Sequence, residues 1–122
     1  MSELTLQRIP FTVEADIRLR TLKSRTGITP NILCRIGFCL SLEEQGLPPE
    51  LPNNFKVGRE INRYTLLGKY DKFFVALLIT RLVKDRIPLT GIDNMFLAHI
   101  NRGIEILTAR IKSVVDLAHL EG

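Results

Sequence analysis

The sequence lacks the features that mark several large classes of protein. No window of its 122 residues approaches the ~18 continuous apolar residues of a membrane-spanning helix. No basic region followed by an apolar run stands at the N-terminus, so we expect no secretory signal and a cytoplasmic location. Hydrophobic residues make up 45% and charged residues 25%, which predicts one ordinary globular domain over residues 1–122.

Signatures of catalytic, nucleotide-binding and metal sites are also missing. There is no GxxxxGK[ST], GxGxxG or HExxH pattern, and His99 and His119 are twenty residues apart. The serines (Ser2, Ser24, Ser41 and Ser113) lie in no nucleophile-elbow context. We therefore expect a protein that is not an enzyme and that holds no cofactor and no metal. A helical histidine that is either satisfied in its hydrogen bonds or partly exposed is the favoured interpretation of His99.

Cysteine is scarce, and its spacing does not indicate a disulfide. Cys34 and Cys39 are five residues apart on a predicted helix, so they point about 140° apart around its axis. No CxxC or Cys/His ligand spacing accompanies them. Both are predicted to be buried structural thiols rather than metal ligands.

Acidic residues are absent from the stretch Ile17–Leu42, although the chain carries 13 of them against 17 Lys and Arg. Five cations lie in this stretch: Arg18, Arg20, Lys23, Arg25 and Arg35. A basic surface of this kind suits a polyanion such as nucleic acid. A solvated surface position explains any single one of these cations better than nucleic-acid binding does. For the five cations as a group, the two explanations carry about equal weight.

The residues before this stretch alternate between apolar and polar from Leu4 to Ile9 and then meet Pro10, which predicts a strand ending there. A lone strand needs a partner, and no hairpin mate follows it directly. A second copy of the chain is the simplest source of that partner.

Two helices are predicted after the strand. The first has Thr12 as N-cap and Gly27 after its end near Thr26. One apolar stripe holds Ala15, Leu19 and Leu22, and a second holds Val13 and Ile17. The next helix starts at Thr29-Pro30 and runs to about Glu44. Its apolar residues surround the axis almost completely, which favours burial between copies of the chain.

The remaining chain is predicted to be a connector followed by a helical extension. Residues 1–45 form the N-terminal part, 46–58 the connector and 59–122 the extension. Residues 58–68 fit either a strand or a helix, and Asp71–Arg86 is predicted to be a helix. A heptad seam then steps by three and four residues through Leu97, Ile100, Ile104, Leu107, Ile111, Val114 and Ala118. We assign it to packing in a bundle, with Gly37 and Gly103 as sites of close backbone approach.

Strand, helix, glycine turn and Pro-initiated helix resemble the ribbon-helix-helix family of DNA-binding proteins. The resemblance implies that Thr5 and Gln7 face the bases of the major groove. It also implies that the helix start at Thr29–Asn31 meets a phosphate. Backbone contacts would come from Arg8, Arg20, Lys23 and Arg25.

Nearly the whole chain resembles the DndE family of the bacterial DNA phosphorothioation system. The resemblance rests on FTVEADIRLRTLKSRTGITPNILCRIGFCLSLEE, on GREINRYTLLGKYDKFFVALL and on HINRGIEIL. It implies a non-enzymatic, DNA-binding subunit that forms a homo-oligomer, taken to be a tetramer, and favours nicked duplex DNA. It would act beside the enzymes that mobilise sulfur from cysteine and place it on the DNA backbone.

The helical extension is the main departure from ribbon-helix-helix proteins, because it can cover the usual DNA face. Outer cations such as Lys69, Lys72 and Lys84 would then contact DNA. The full candidate set is Arg8, Arg18, Arg20, Lys23, Arg25, Lys69, Lys72 and Lys84. For Tyr64 and Tyr70, packing is favoured over stacking on bases. The alternative function is an oligomeric adaptor that assembles the sulfur-modification enzymes.

Overall fold

Helices dominate the computed structural model, which describes residues 4–112 and 115–116. The elements are β1 (Arg8–Thr12), α1 (Val13–Thr26), α2 (Pro30–Glu43), β2 (Val57–Asn62), α3 (Arg63–Leu67), α4 (Asp71–Asp85) and α5 (Ile92–Arg110). Single 3-10 turns at Gly68–Tyr70 and Leu89–Gly91 precede α4 and α5. This order confirms the predicted class, a mainly helical fold with a short N-terminal strand. No helix in the described ranges is long and apolar enough to cross a membrane.

The partner of the N-terminal strand lies within the same chain. β1 pairs antiparallel with β2, with Ile9 opposite Ile61 and Pro10 opposite Glu60. The expectation that a second copy supplies the partner strand was therefore wrong, and the ambiguous residues 58–68 divide into strand, helix and turn. Sequence inspection missed β2 because two helices and the connector separate it from β1. The strand also begins later than predicted and runs through Pro10.

Pro10 is tolerated inside β1 because its nitrogen, which carries no hydrogen, points away from β2. The N–H of Arg63 donates to the carbonyl of Gln7 over 2.9 Å, so this pair is hydrogen-bonded. Hydrogen-bonded and non-hydrogen-bonded pairs alternate along an antiparallel ladder, which makes Pro10 and Glu60 a non-bonded pair. The missing N–H thus falls on the edge that β2 does not use, where proline is permitted.

The end signals predicted for α1 and α2 are confirmed. The hydroxyl of Thr12 accepts a hydrogen bond from the N–H of Ala15 over 3.0 Å, and Gly27 adopts φ 73° after the last turn of α1. Pro30 is the first residue of α2. Of the two stripes on α1, Ala15, Leu19 and Leu22 are buried, whereas Ile17 is 56% exposed.

The core forms where α2 crosses α5, and two glycines allow the crossing. A Cβ atom on Gly37 would lie 2.9 Å from the carbonyl carbon of Gly103, and one on Gly103 would overlap the carbonyl oxygen of Gly37. The close approach predicted for both glycines is therefore confirmed, within one chain. The buried seam residues of α5 pack here: Ile100, Ile104, Leu107 and, just past the helix end, Ile111.

One expectation for these helices needs correction. The described part of α5 ends at Arg110, earlier than the long seam suggested, while Val114 and Ala118 lie outside the described residues, as do Ser2, Ser113 and His119. Within the single chain, Ile32 is 37% exposed and Ile36, Cys39, Leu40 and Leu42 are partly buried, so the burial of this side of α2 between copies of the chain stays a prediction. The fully buried side of α2 carries Leu33, Cys34, Gly37, Phe38 and Ser41.

The contact between Gly37 and Gly103 predicts that Gly103→Ala destabilises the protein, whereas helix propensity alone predicts that it stabilises it. In an isolated helix, Gly103→Ala would add about 1 kcal/mol of stability. Here the new methyl group meets the backbone of α2, and overpacking of this kind costs about 1–3 kcal/mol. We therefore expect a lower free energy of unfolding, measured by urea denaturation.

The matched control is Gly91→Ala, where the nearest atom to the added Cβ is Ile87 Cγ2 at an ordinary 3.6 Å. That variant should stay within about 0.5 kcal/mol of the parent. A stabilised Gly103→Ala protein would contradict the crossing described here.

Candidate nucleic-acid interface

The acid-free stretch keeps only part of its positive charge available, because acids from elsewhere in the fold reach into it. Arg18 lies 3.6 Å from a carboxylate oxygen of Glu105 on α5, and Arg20 lies 3.0 Å from Asp16, one turn earlier on α1. The Arg18–Glu105 pair is at the surface, where such a contact contributes little to stability, whereas the carboxylate that Arg20 meets is itself buried. Both pairs lower the net charge offered to a polyanion.

Arg35 has a structural role at the end of α3. Its Nε donates to the carbonyl of Leu66 over 2.7 Å, and Nη2 donates to the carbonyl of Thr65 over 3.3 Å. Carbonyls at a helix C-terminus lack partners within the helix, so a guanidinium stabilises them. Arg35 is therefore not counted among the cations free to bind a ligand.

Lys23 and Arg25 are the two cations of the acid-free stretch that remain available to bind a ligand. They lie in the last turn of α1, both are exposed, and their side chains form no ion pair or hydrogen bond with any described residue. Their positive charge also suits the negative end of the helix dipole. The end of α1 is thus a small, uncompensated basic surface.

A second group of exposed cations lies on α4 and on the 3-10 turn before it. Lys69, Lys72 and Lys84 are exposed, and the described residues offer none of them a carboxylate. Lys69 Nζ instead lies 5.4 Å from the ring centroid of Tyr70. Arg86 adds a fourth exposed cation just beyond α4, where it adopts φ 60°. From the sequence, this residue was named only as the end of the helix. Its position next to Lys84 at a helix C-terminus was the signal that was overlooked.

Two of the side chains that the ribbon-helix-helix resemblance assigned to DNA contact, Arg8 and Thr5, bond to acidic residues of the same chain. Arg8 Nε donates to Glu60 of β2 over 3.0 Å. The backbone N–H of Thr5 donates to Asp93 of α5 over 2.8 Å, and the Thr5 hydroxyl contacts the same carboxylate. Gln7 remains exposed.

At the start of α2, where backbone N–H groups were predicted to meet a phosphate, the side chains of Thr29 and Asn31 form hydrogen bonds within the chain. Thr29 donates its hydroxyl proton to Asn31 Oδ1 over 2.6 Å, and Asn31 Nδ2 donates to the carbonyl of Thr65 over 3.3 Å. These bonds link the start of α2 to α3.

A buried carboxylate connects α1 with β2. Asp16 is only 5% exposed, and one of its oxygens lies 2.8 Å from Arg59 Nε, while the other meets Arg20. Removing one partner from a buried ion pair leaves an uncompensated charge, which is strongly destabilising. This contact holds the sheet against the first turn of α1.

Tyr64 and Tyr70 lie at the surface of the single chain. Their exposed fractions are 57% and 48%, and Phe73 close by is 59% exposed. The sequence could not show this, because the buried side of this segment is filled by Leu66, Leu67 and Phe74.

A buried polar network lies on the far side of the α2–α5 crossing. His99 is fully buried, its Nδ1 is 2.8 Å from Ser41 Oγ, and its Nε2 has no hydrogen-bond partner in the described structure. Arg102 donates to Oγ and to the carbonyl of Ser41 over 2.9 and 2.7 Å. Burial and the nearby positive charges of Arg102 and Arg81 lower the pKa of His99 to about 4, so the imidazole is neutral near pH 7.

The network has the composition of a serine–histidine pair but not the access that catalysis requires. Both Ser41 and His99 are sealed from solvent. Arg81, only 6% exposed, donates to the carbonyls of Leu42 and Gly46 over 2.6 and 2.7 Å. The arrangement fixes the end of α2 and the start of the connector.

The burial predicted for the two cysteines is confirmed for Cys34, whereas Cys39 is only partly buried. Cys34 is buried, which raises the pKa of its thiol to about 12, and both cysteines are free thiols. Within residues 4–112 and 115–116, no three His, Cys, Asp or Glu side chains come together in a way that could hold a metal ion.

Fold and surface together define a small, mainly helical protein with basic patches. Two solved structures share its fold. One is DndE from Escherichia coli B7A involved in DNA phosphorothioation modification: 24% identity, TM-score 0.68, covering 84% of this chain and 96% of that chain. The other is a DndE mutant involved in DNA phosphorothioation, with 22% identity, TM-score 0.63, and coverage of 85% and 98%. No curated protein matches the sequence.

The family model of the DNA sulphur modification protein DndE matches residues 8–114. The chain therefore belongs to the DndE family, and the resemblance seen in the sequence is confirmed.

The buried histidine predicts how stability depends on pH. An unfolded histidine binds its proton near pH 6.5, whereas His99 in the folded chain stays neutral down to about pH 4. The unfolded state thus takes up more protons in this window, so stability is retained above pH 6.5 and falls from there toward pH 4. The loss is on the order of 3 kcal/mol.

The measurement is urea unfolding at a series of pH values, with His99→Gln as the comparison. That variant should be less stable at pH 7 and should lack most of the slope between pH 6.5 and 4. An unchanged slope would show that other groups dominate acid unfolding.

Proposed function

We propose that this protein is a non-enzymatic DNA-binding subunit of the DNA phosphorothioation machinery. It binds duplex DNA, with a preference for nicked duplex, through basic side chains on the outside of a homo-oligomer, which we take to be a tetramer. It works in the cytoplasm with the other sulfur-modification proteins. Membership of the DndE family gives the context.

The observation that carries this proposal is the set of exposed cations without acidic partners. Lys23 and Arg25 lie in the last turn of α1, Lys69 lies in the 3-10 turn before α4, and Lys72 and Lys84 lie in α4. A cation that is already paired must give up that pair to meet a phosphate, and an unpaired one need not. We therefore assign phosphate contact to these five and a lesser part to Arg8, Arg18 and Arg20.

The proposal predicts a change in salt dependence. Each lost phosphate contact should reduce the slope of log affinity against log salt by about 0.9. The double variant Lys72→Gln/Lys84→Gln should therefore lower the slope by up to about 2, measured by fluorescence anisotropy with nicked and intact duplex from 50 to 200 mM salt.

Its matched control is Arg8→Gln/Arg18→Gln, which changes the net charge equally but removes cations that are already paired. The control should keep most of the slope. Equal effects of both variants would show a response to overall charge, and absent or salt-insensitive binding by the parent protein would disprove the proposed function.

An adaptor function is the second candidate, in which the homo-oligomer assembles the sulfur-modification enzymes, and one surface of α4 suits the formation of such an oligomer. Phe73, Ala76, Thr80 and Val83 are exposed and follow the three–four spacing of a helix-packing seam, and Val83 is 67% exposed. Apolar residues in such an order suit contact with another helix. We assign this seam to self-association of the chain.

The seam predicts a loss of assembly when it carries charge. Ala76→Glu/Val83→Glu should reduce the mass in solution, measured by light scattering, because each carboxylate would be buried unpaired at the interface. Gln45→Glu/Asn54→Glu adds the same charge at exposed connector positions and should leave the mass unchanged. A monomeric parent protein would refute the assignment. If seam variants abolish modification in cells while DNA binding persists, the adaptor function is supported.

A further inference from the structure

Among the described residues, three aromatic side chains are exposed, and they fall within ten positions, at Tyr64, Tyr70 and Phe73. Phe11, Phe38, Phe74 and Phe96 are buried, and Phe55 is partly buried. Phe73 belongs to the α4 seam described above. Tyr64 and Tyr70 lie before it, on α3 and on the 3-10 turn, and have no place in that seam.

The short segment that carries the two tyrosines is held firmly from beneath. Arg63 binds Asp71 through two hydrogen bonds of 2.8 Å and donates to the carbonyl of Leu4 over 2.6 Å. Asn62 Oδ1 accepts from the N–H of Tyr64 over 2.9 Å. At the other end, Arg35 fixes the last carbonyls of α3. Rings on a rigid support lose little conformational entropy when they bind.

The charge around these rings is positive. Arg63 Cζ lies 5.6 Å from the ring centroid of Tyr64, and Lys69 Nζ lies 5.4 Å from that of Tyr70. The nearest acids in the sequence, Glu60 and Asp71, are engaged by Arg8 and Arg63, and exposed Lys72 follows Asp71. Aromatic faces beside cations along a polyanion path are how proteins hold unstacked bases.

We propose that Tyr64 and Tyr70 form a stacking platform for a nucleobase exposed at a break in duplex DNA. Bases inside an intact duplex cover one another's faces, whereas a base opposite a gap offers a free face to a ring. This inference rests on the proposed function and adds the contact that distinguishes interrupted from continuous duplex. Phosphate contacts by the cations would not make that distinction.

The test compares Tyr64→Leu/Tyr70→Leu with Tyr64→Phe/Tyr70→Phe, which keeps the rings. The probes are an intact duplex and one with a single-nucleotide gap and 2-aminopurine opposite the gap. With the parent protein, the 2-aminopurine fluorescence should be quenched by stacking. The leucine variant should lose the quenching and about tenfold or more of its preference for the gapped duplex. The phenylalanine variant should stay within about twofold of the parent, and thermal unfolding should be similar for all three.

Each other outcome is decisive. Equal loss of affinity for both duplexes, or an unchanged preference and fluorescence, overturns the platform while salt-dependent binding leaves the proposed function intact. If the parent binds neither duplex, both proposals fail. If the leucine variant changes the mass in solution but not DNA binding, the rings form a protein contact and the platform is wrong.

Discussion

The backbone contact between Gly37 and Gly103 sets the distance between α2 and α5, and much of the fold depends on it. Four residues beyond Gly37 comes Ser41, and four residues before Gly103 comes His99. These two meet over 2.8 Å, which shows that the helices run in opposite directions past the glycines. On the other side of the crossing, Leu107 approaches Gly37. A larger separation would open the apolar side and pull the polar pair apart.

The polar side of this crossing extends the constraint to α4 and the connector. Arg81 of α4 and Arg102 of α5 both donate to the carbonyl of Gly46, over 2.7 and 3.0 Å. Two buried or half-buried guanidinium groups thus converge where the chain leaves α2. Charge in such a place is costly unless its hydrogen bonds are made, so the connector has one favoured path. That path delivers β2 to β1 and places the tyrosine-bearing segment at the surface.

Local signals were sufficient to predict α1 and the start of α2. Thr12, Gly27 and Pro30 act through residues only a few positions away, so their effect can be inferred directly from the sequence. The same holds for Gly103, whose place in a packing seam indicated a close neighbour. The candidate site was harder to predict, because whether a cation is free depends on distant acids. Glu105 reaches Arg18 across more than eighty positions, and Glu60 reaches Arg8 across fifty-two. The pairing of β1 with β2 was missed for the same reason.

Pro10 has a consequence for the order in which the chain is made. β1 leaves the ribosome well before β2, since two helices and the connector lie between them. At a synthesis rate of roughly 5–20 residues per second, the first strand waits some seconds for its mate. An unpaired strand edge is a template for pairing with neighbouring nascent chains. Pro10 removes a hydrogen-bond donor from one edge of β1. Pairing of the unpaired strand with a neighbouring chain is therefore disfavoured at that edge, and β2 later pairs with the other edge.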